Sequence, residues 1–418
     1  MLSGQLSVRF VIVCIVLYFL LAMAFGASPA TIRYVHGDSS CPGDGSDQAP
    51  YCSIQASVDQ AQCGDVIRLR PTMQPYTEQV TITGPSCPAS TPVFLEPERQ
   101  HEIAWQPRRT PRNDVYGLSL VDVDGWVVRG LTFLGSPEQP RNAIQIRALT
   151  RSVSHTALLG NRVTDWNLET RYSNSTALVL GGNYQAGHGL YGMRVEGNTI
   201  QGFRSRGLVI SHSNSGLIAR NTLSGGRCGP STPGGTQQQH LVGAWTHTGD
   251  YLSVAQARGD VWEHNRIHDF QTIEDCLAET GGTNATVHAF WCDSGPSDGV
   301  FAHNDIWNIA RTSQGHRVRV ARWEARCHRW QVRDNHLWDN GGWGLTANGI
   351  NFDVTFAGNL IERPASVCVV LGGGGANSPA RRRTVQGNTC VAPGQMPFWK
   401  SPGAEAQSEG DVILGNSW

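Results

Sequence analysis

Asn198-Thr-Ile200 belongs to a series of Asn-x-(hydrophobic) tripeptides that punctuate this 418-residue chain. The asparagines of the series are Asn161, Asn198, Asn221, Asn265, Asn304, Asn335, Asn359 and Asn388, and neighbours lie 23 to 44 residues apart. Self-similarity with a period of about 20 to 50 residues is typical of solenoids, propellers and other repeat arrays. A short β-type run such as Gly207-Leu-Val-Ile210 precedes each asparagine, which favours a stack of β-coils.

The composition fits one uninterrupted array of coils. A chain of this length would ordinarily fold as roughly two or three domains, but a solenoid grows by adding coils. Hydrophobic residues make up 39% of the chain, charged residues 16%, and the formal net charge is -1. That balance gives no basis for binding to nucleic acid or to a membrane through a basic face. Lys400 is the only lysine, so a lysine base is disfavoured.

The N-terminus has the pattern of an export signal. Arg9 precedes an apolar run over 10–25, and the small residues Gly26, Ala27 and Ser28 follow. This pattern predicts a signal peptide over residues 1–29, with an uncleaved anchor as the alternative. We therefore expect a secreted or extracytoplasmic protein that has no membrane association after cleavage.

Ten of the 11 cysteines lie outside the signal region, and none has C-x-x-C metal-binding spacing. Disulfide bonds are the better interpretation for an exported chain. The pairs that we expect are Cys41–Cys52, Cys63–Cys87, Cys276–Cys292 and Cys368–Cys390.

Residues 30–63 are expected to form an N-terminal loop and a capping helix. The stretch 34–50 is rich in Gly, Asp and Ser, which favours a loop. Ile54, Val58 and Ala61 have the spacing of an amphipathic helix. A helix here would cover the open end of a β-stack, where unpaired backbone groups otherwise favour aggregation.

Residues 64–418 continue as coils without a linker or a second domain. Two longer excursions, 227–239 and 271–284, interrupt the repeat. Insertions of this kind usually project from one face of a solenoid, often the binding face.

Several stretches near the start of the coils carry a family resemblance. They are Ile54-Gln-Ala56, Gly64-Asp-Val-Ile67, Tyr76-Thr-Glu78, Val80-Thr-Ile82 and Val127-Val-Arg-Gly-Leu-Thr-Phe133. This opening resembles the proteins of the pectate-lyase-like superfamily (pectin lyase fold). The resemblance implies an all-β fold, a single right-handed parallel β-helix (solenoid) with a short N-terminal capping helix. It also implies that the repeated asparagines stack in the turns and bond the backbone of neighbouring coils.

The repeat aligns two carboxylates on adjacent coils. Asp293 lies 11 residues before Asn304, and Glu324 lies 11 residues before Asn335. Neighbouring strands lie about 4.8 Å apart, so the carboxylates should be about 5 Å apart, as in a retaining glycosidase pair. Their repulsion would raise the pKa of one, giving a protonated acid beside an ionised nucleophile.

Strand alternation assigns the neighbouring side chains to faces. Residues of one parity should lie inside: Phe290, Cys292, Ala321 and Trp323. Trp291 and Arg322 should share the outer face with the carboxylates, and Asn348 follows one coil later. Trp291 would offer an apolar face to a sugar ring. Arg322 would bind a substrate carboxylate or hold one acid ionised.

Weaker candidates and simpler interpretations remain open. His247, Asp250 and Tyr251 could bind substrate one coil earlier on the same face. Asp293 and Glu324 could instead be solvated surface groups, or could bind calcium, which takes oxygen ligands. No dedicated metal-binding motif occurs, so the expected cofactor set is none, with calcium possible.

Three functions follow as hypotheses. The first is a secreted, monomeric enzyme that hydrolyses glycosidic bonds of an extracellular polysaccharide with Asp293 and Glu324. The second is a polysaccharide lyase on a uronic-acid polymer, with Arg322 or Arg319 as the base and calcium as an optional cofactor. The third is a non-catalytic, adhesin-like glycan-binding protein. The motifs of polygalacturonases, pectate lyases and alginate epimerases are absent, so the resemblance specifies the fold and not the activity.

Overall fold

The computed structural model describes residues 30–40, 43–99, 102–110, 115–168, 175–183, 185–229, 239–248, 257–280, 284–312, 317–372, 381–400 and 410–418. The expected signal peptide, residues 1–29, lies outside this set. Ile32–Trp418 forms one compact unit. Among the described residues, no helix has both the length and the apolar character needed to cross a bilayer.

The unit is built from three long sheets and one short one, in which every pair of neighbouring strands is parallel. The 13-stranded sheet comprises Ile32–Val35, Val66–Leu69, Val93–Pro97, Trp126–Arg129, Ala157–Leu159, Arg194–Glu196, Leu217–Ala219, Val261–Glu263, Val300–Ala302, Gln331–Arg333, Thr355–Ala357, Thr384–Gln386 and Val412–Leu414. The 10-stranded sheet comprises Ile103–Trp105, Leu131–Leu134, Arg162–Trp166, Thr199–Phe203, Thr222–Ser224, Arg266–Phe270, Asp305–Ile309, His336–Trp338, Leu360–Glu362 and Thr389–Val391. The 11-stranded sheet comprises Val80–Ile82, Tyr116–Val121, Asn142–Ala148, Thr176–Gly182, Arg206–Ser211, Gln239–His247, Ala285–Asp293, Arg319–Trp323, Trp343–Ala347, Val367–Leu371 and Met396–Lys400. The 3-stranded sheet comprises Val153–Ser154, Leu190–Tyr191 and Ser213–Asn214.

The chain visits the three long sheets in a fixed order, and each return begins the next coil. Val300–Ala302 of the 13-stranded sheet leads to Asp305–Ile309 of the 10-stranded sheet, and then to Arg319–Trp323 of the 11-stranded sheet. This winding is that of a parallel β-helix. The predicted all-β parallel β-helix is confirmed, while its right-handed sense stays a prediction.

The repeated asparagines form a continuous buried ladder between the 13- and 10-stranded sheets. Asn304 shows the pattern: its Oδ1 accepts from the backbone N of Asn265 at 3.0 Å and from Asn265 Nδ2 at 2.9 Å. Its Nδ2 donates to Trp262 O at 3.0 Å and to Asn335 Oδ1 at 2.9 Å. Asn304 is 1% exposed, so these bonds satisfy groups that water cannot reach.

The ladder has one more rung than the sequence analysis counted. Asn416 Oδ1 accepts from the backbone N and from Nδ2 of Asn388, both at 2.9 Å. Asn416-Ser-Trp418 also matches the tripeptide pattern, which would have identified it.

An aromatic cluster fills the interior beneath the middle coils. The ring of Phe290 lies 5.2 Å from Trp262, 4.4 Å from Phe301, 5.4 Å from Trp323 and 5.9 Å from Trp330. All five rings are at most 1% exposed. Close packing of large rings resists displacement, so the backbone of these coils is held firmly.

The expected N-terminal helix is present as Ile54–Asp59. Its N-cap is Ser53, whose side chain accepts from the backbone N of Ala56. The helix packs against the strands Ile32–Val35, Val66–Leu69 and Val80–Ile82, and its role as a cap stays a prediction. Ile32–Val35 is itself a strand, so the expectation of loop is wrong at the start of the 34–50 stretch. Parallel pairing with Val66–Leu69 brings this segment into the sheet.

The second excursion contains a helix, Ile273–Thr280, that was not anticipated. Cys276 on this helix bonds to Cys228 in the first excursion, so a disulfide joins the two excursions. The expected pair Cys276–Cys292 is therefore wrong. Cys292 lies on a strand and points into the interior, where it bonds to Cys327 of the next coil.

Two other expected disulfides, Cys63–Cys87 and Cys368–Cys390, are present. Cys52 is also disulfide-bonded. Its expected partner, Cys41, lies outside the described residues.

The ladder gives a stability prediction. Asn304→Ala removes a rung with its side-chain hydrogen bonds and leaves the buried backbone N–H of Asn265 without its acceptor, so it should lower the free energy of unfolding by about 3 kcal/mol. Asn308→Gly is the matched control, because Asn308 is exposed and Gly tolerates its positive φ. The control should cost less than about 1 kcal/mol. Urea unfolding followed by circular dichroism measures both, and equal midpoints for the two variants would contradict a structural ladder.

Candidate functional site

The strands of the 11-stranded sheet bring the two predicted carboxylates to adjacent coils. Trp291 pairs with Arg322, and Cys292 pairs with Trp323. The backbone N of Glu324 then donates to Cys292 O at 2.9 Å. Asp293 and Glu324 therefore occupy neighbouring positions at the ends of two adjacent strands.

The same register continues to the following coil. Trp323 pairs with Ala347, and the backbone N of Asn348 donates to Trp323 O at 3.0 Å. Trp291, Asp293, Arg322, Glu324 and Asn348 thus form one group, which we name the carboxylate patch.

Alternation along the strands agrees with the expected faces. Phe290, Cys292, Ala321 and Trp323 are all 0% exposed and lie in the interior. The outer face is more enclosed than expected, however, since Asp293 and Arg322 are each only 7% exposed. The carboxylate patch is therefore not a row of solvated surface groups.

Arg322, Glu324 and Asn348 form a connected network. The Arg322 guanidinium makes a salt bridge to Glu324 Oε1. Arg322 Nε donates to Asn348 Oδ1 at 3.1 Å, and Asn348 Nδ2 lies 3.4 Å from Glu324 Oε1. These bonds hold the Glu324 carboxylate in one position.

Asp293 has the opposite environment. Burial raises the pKa of Asp293 to about 6, and the negative charge of Glu324 adds to the rise. Hydrogen bonding to Ser294 and the charge of Arg322 oppose the shift without cancelling it. The two carboxyl groups therefore differ in environment: Asp293 is buried and has a raised pKa, whereas Glu324 is bonded to Arg322 and Asn348.

Trp291 is half-buried within a stack of rings. Its ring lies 5.2 Å from Trp245 of the preceding coil, at an interplanar angle of 11°. The guanidinium of Arg322, on the following coil, lies 5.5 Å from the centre of the same ring. Trp291 therefore does not offer the open face to a sugar ring that the sequence suggested.

His247 lies one coil before Asp293, in register with it. Its ring stacks on Trp245 at 4.4 Å. Burial lowers the pKa of His247 to about 3, so the ring is neutral over the physiological range. Asp250 and Tyr251, the other two residues expected here, lie outside the described residues.

Sequence reasoning missed Trp245. Trp245-Thr-His247 has the same spacing as Trp291-Cys-Asp293, which was an available signal. Counting back from the ladder failed because 20 residues separate Trp245 from Asn265, against 13 between Trp291 and Asn304.

The carboxylate patch does not suit calcium. A calcium site needs about six to eight oxygen ligands. Glu324 is already bonded to Arg322, and that cation would repel a second one. Within the described part of the chain, no group of three or more His, Cys, Asp or Glu side chains is placed to hold a metal ion.

Surface grooves occur elsewhere on the molecule. One of about 800 Å³ is lined by residues that include Arg68, Glu96, Arg129 and Arg162. Glu96 there is bonded to both Arg68 and Arg129. This mutual pairing has the character of a structural ion network, whereas the carboxylate patch combines differentiated acids with aromatic rings. We therefore take the carboxylate patch as the candidate site.

No protein-family model and no curated protein matches the chain. Its structure is similar to the GH136 lacto-N-biosidase of Eubacterium ramulus, with 11% identity and a TM-score of 0.62 over 93% of this chain and 68% of that one. It is also similar to the mannuronan C-5 epimerase A-module of Azotobacter vinelandii, with 13% identity and a TM-score of 0.55 over 92% of this chain and 96% of that one. XylC in complex with xylose gives 10% identity and a TM-score of 0.53, over 88% of this chain and 86% of that one.

At such low identities these likenesses concern the fold alone. Together with the parallel sheets and the asparagine ladder, they show that the protein has the parallel β-helix fold.

Proposed function

We propose that the protein is a secreted enzyme that hydrolyses glycosidic bonds of a polysaccharide, with Asp293 as the general acid and Glu324 as the nucleophile. The observation that carries the proposal is the unequal environment of two adjacent carboxyl groups. Burial raises the pKa of Asp293 to about 6, while the Glu324 carboxylate is bonded to the Arg322 guanidinium. Such a difference is what acid and nucleophile roles require at one pH.

The chemistry follows from this assignment. Asp293 donates its proton to the glycosidic oxygen while Glu324 attacks the anomeric carbon, and a glycosyl–enzyme ester forms as the leaving sugar departs. Asp293, now ionised, then removes a proton from the water that hydrolyses the ester. A separation of about 5 Å, set by the strand spacing, corresponds to retention of the anomeric configuration. Arg322 and Asn348 orient Glu324.

The lyase alternative with Arg322 as the base is less well supported by the network. Burial lowers the pKa of Arg322 to about 10, so it remains protonated at neutral pH. Its guanidinium is also bonded to Glu324 and Asn348. A guanidinium that is protonated and bonded to two side chains is a poor general base.

Two further observations support a carbohydrate-active, exported protein. The similar structures include a biosidase, a mannuronan epimerase and a protein bound to xylose, and this chain shares their fold. The disulfides Cys63–Cys87, Cys228–Cys276, Cys292–Cys327 and Cys368–Cys390 suit an oxidising compartment.

Substitution of either carboxylate tests the enzyme proposal. Asp293→Asn and Glu324→Gln should each lower kcat by roughly 100-fold to 10,000-fold, because each removes a proton-transfer or nucleophilic role. The assay is release of reducing ends from a panel of neutral and acidic polysaccharides, with proton NMR of the first-formed anomer to verify retention. Asp275→Asn, at an exposed carboxylate, is the control and should leave kcat unchanged.

Each alternative has its own outcome in the same assay. Products that carry the ultraviolet absorbance of an unsaturated uronate would identify a lyase. If the wild-type protein released no reducing ends from any polysaccharide of the panel, the enzyme proposal would be rejected and the glycan-binding alternative would remain.

The raised pKa of Asp293 predicts two pH effects. The value of kcat/KM should fall as pH rises through about 6, because Asp293 then loses the proton that it donates. Folding also raises this pKa, so the native state binds the proton more tightly than the unfolded state does. Stability should therefore fall by about 3 kcal/mol between about pH 4 and pH 6.

Unfolding free energies of the wild type and of Asp293→Asn, measured at several pH values, check the second effect. The variant lacks the ionisable group, so its stability should decline less over this range. Parallel curves for the two proteins would show that Asp293 titrates normally.

A further inference from the structure

Exposed apolar side chains gather where the stack of coils stops at its C-terminal side. Six of the ten large apolar residues that are exposed in the described part of the chain lie on the last strand of a long sheet or just after it. They are Val391, Met396, Val412, Ile413, Leu414 and Trp418, each 40% to 60% exposed. We name this surface the open end. A cluster of this kind on a soluble protein usually marks an interaction site.

The last strand of the 13-stranded sheet, Val412–Leu414, has a free backbone edge. It pairs on one side with Thr384–Gln386, and no described strand lies on its other side. The N–H of Val412 and the C=O of Leu414 are bonded to the preceding coil. Successive residues of a parallel strand bond alternately to its two neighbours, so the backbone N–H and C=O of Ile413 face the free side.

The other two long sheets do not offer such an edge at this end. In the last strand of the 10-stranded sheet, Cys390 N donates to Ser417 O at 2.8 Å, so that edge is already bonded. The last strand of the 11-stranded sheet contains Pro397, which has no N–H to donate, and ends at Lys400. Proline and lysine on an edge strand are typical protection against pairing with another chain. The edge of Val412–Leu414 has neither.

The opposite edge of the 13-stranded sheet is closed. Its first strand is Ile32–Val35, in which Tyr34 N donates to Gly45 O and Tyr34 O accepts from Tyr51 N, both at 2.9 Å. A second copy therefore cannot add its Val412–Leu414 strand to this edge. Head-to-tail stacking, which would give an open polymer, is thus blocked, and only two like ends can meet.

The chain has no segment near the open end in sequence that could cover it. The segments 373–380 and 401–409 lie outside the described residues and contain no aromatic residue and no Val, Ile, Leu or Met. The apolar run 10–25 belongs to the expected signal peptide. A second copy, in contrast, carries the same free edge and the same apolar side chains.

We propose that the open end is a homodimer interface, in which Val412–Leu414 pairs antiparallel with the same strand of a second copy about a two-fold axis. The two Ile413 residues then lie opposite each other and exchange both N–H···O=C bonds. The Ile413 side chain is in register with Val385, a residue of the interior that is 0% exposed. The two-fold axis therefore brings together the apolar interiors of the two stacks. This inference does not depend on the proposed function, and it replaces the monomer that the sequence suggested.

The charge and the area of the open end suit a weak dimer. Asp411 is bonded to Arg383 at 2.8 Å and lies 3.6 Å from Lys400, so the charges here are paired within one copy and two like ends can approach. The six exposed side chains present roughly 500 Å² per copy, and a dimer would bury on the order of 1,000 Å² in total, the lower end for a specific interface. We therefore expect a dissociation constant in the micromolar range.

Sedimentation velocity of the full chain tests the interface. Between about 0.1 µM and about 100 µM the protein should shift from monomer to dimer, because this range brackets a micromolar dissociation constant. Ile413→Lys should weaken association at least ~10-fold, since it places two like charges opposite each other at the two-fold axis. Tyr191→Lys is the matched control, because Tyr191 is similarly exposed (46% against 42%) but lies in the 3-stranded sheet. Thermal unfolding midpoints verify that both variants are folded.

A cysteine at the two-fold axis provides a second test that does not need a buried charge. Opposite Cα atoms of a hydrogen-bonded antiparallel pair lie about 5.5 Å apart, which is within the range of a disulfide. Ile413→Cys should therefore form a disulfide-linked dimer under mild oxidation, seen by electrophoresis without reductant. Tyr191→Cys, the control, should stay unlinked.

A monomer at every concentration, or species larger than a dimer, would overturn the interface. Unchanged association of Ile413→Lys would place the contact elsewhere and reject this edge. The absence of linked Ile413→Cys at concentrations where the protein is a dimer would do the same.

Discussion

The buried asparagine ladder is the constraint on which the rest of the structure depends. From Asn161 to Asn388 every rung is at most 3% exposed, and its side chain is bonded to the next rung and to backbone carbonyls. A coil that slipped by one residue would leave several of these groups buried and unpaired. It would also turn interior rings such as Phe290 to the outside. The ladder therefore fixes the register of the coils, and the register aligns Asp293 with Glu324.

The sequence predicts this alignment because three coils have the same number of residues between the outer strand and the ladder asparagine. Asp293, Glu324 and Asn348 each lie 11 residues before a ladder asparagine, so counting back places them in one column. The method fails for Trp245, since its coil is longer between the outer strand and the ladder. An insertion changes the number of residues between a strand and the ladder but does not change the register of the strands. Only the pairing of Trp245 with Trp291 in the structure shows the position of Trp245. The mistaken Cys276–Cys292 pair has a different origin: it follows nearness in sequence, although strand alternation already places Cys292 in the interior, where it bonds to Cys327 of the next coil.

The electrostatic difference between the two carboxyl groups cannot be predicted from the alternation of side chains along the strands. Alternation assigns a side chain to a face but does not say how deeply neighbouring coils enclose it. Asp293 and Glu324 have the same place in the repeat, yet Glu324 bonds to Arg322 while Asp293 is 7% exposed and has a raised pKa. The stack of Trp245, Trp291 and Arg322 that encloses this face comes from three coils separated by dozens of residues in sequence. Its effect on Asp293 emerges only when the coils are in contact.

A site of this kind destabilises the coils that carry it, since burial of Asp293 raises the free energy of the folded state. The surrounding structure offsets this cost at the same two coils. Cys292–Cys327 joins the coil of Asp293 to the coil of Glu324 from the interior side, directly beneath the carboxylate patch. Phe290 and Trp323 pack beside the bond, and Asn304 and Asn335 follow on the same coils. These covalent, aromatic and hydrogen-bonded links limit how far the two strands can separate. They therefore constrain the distance between the carboxylates, the quantity that decides between retaining and inverting geometry.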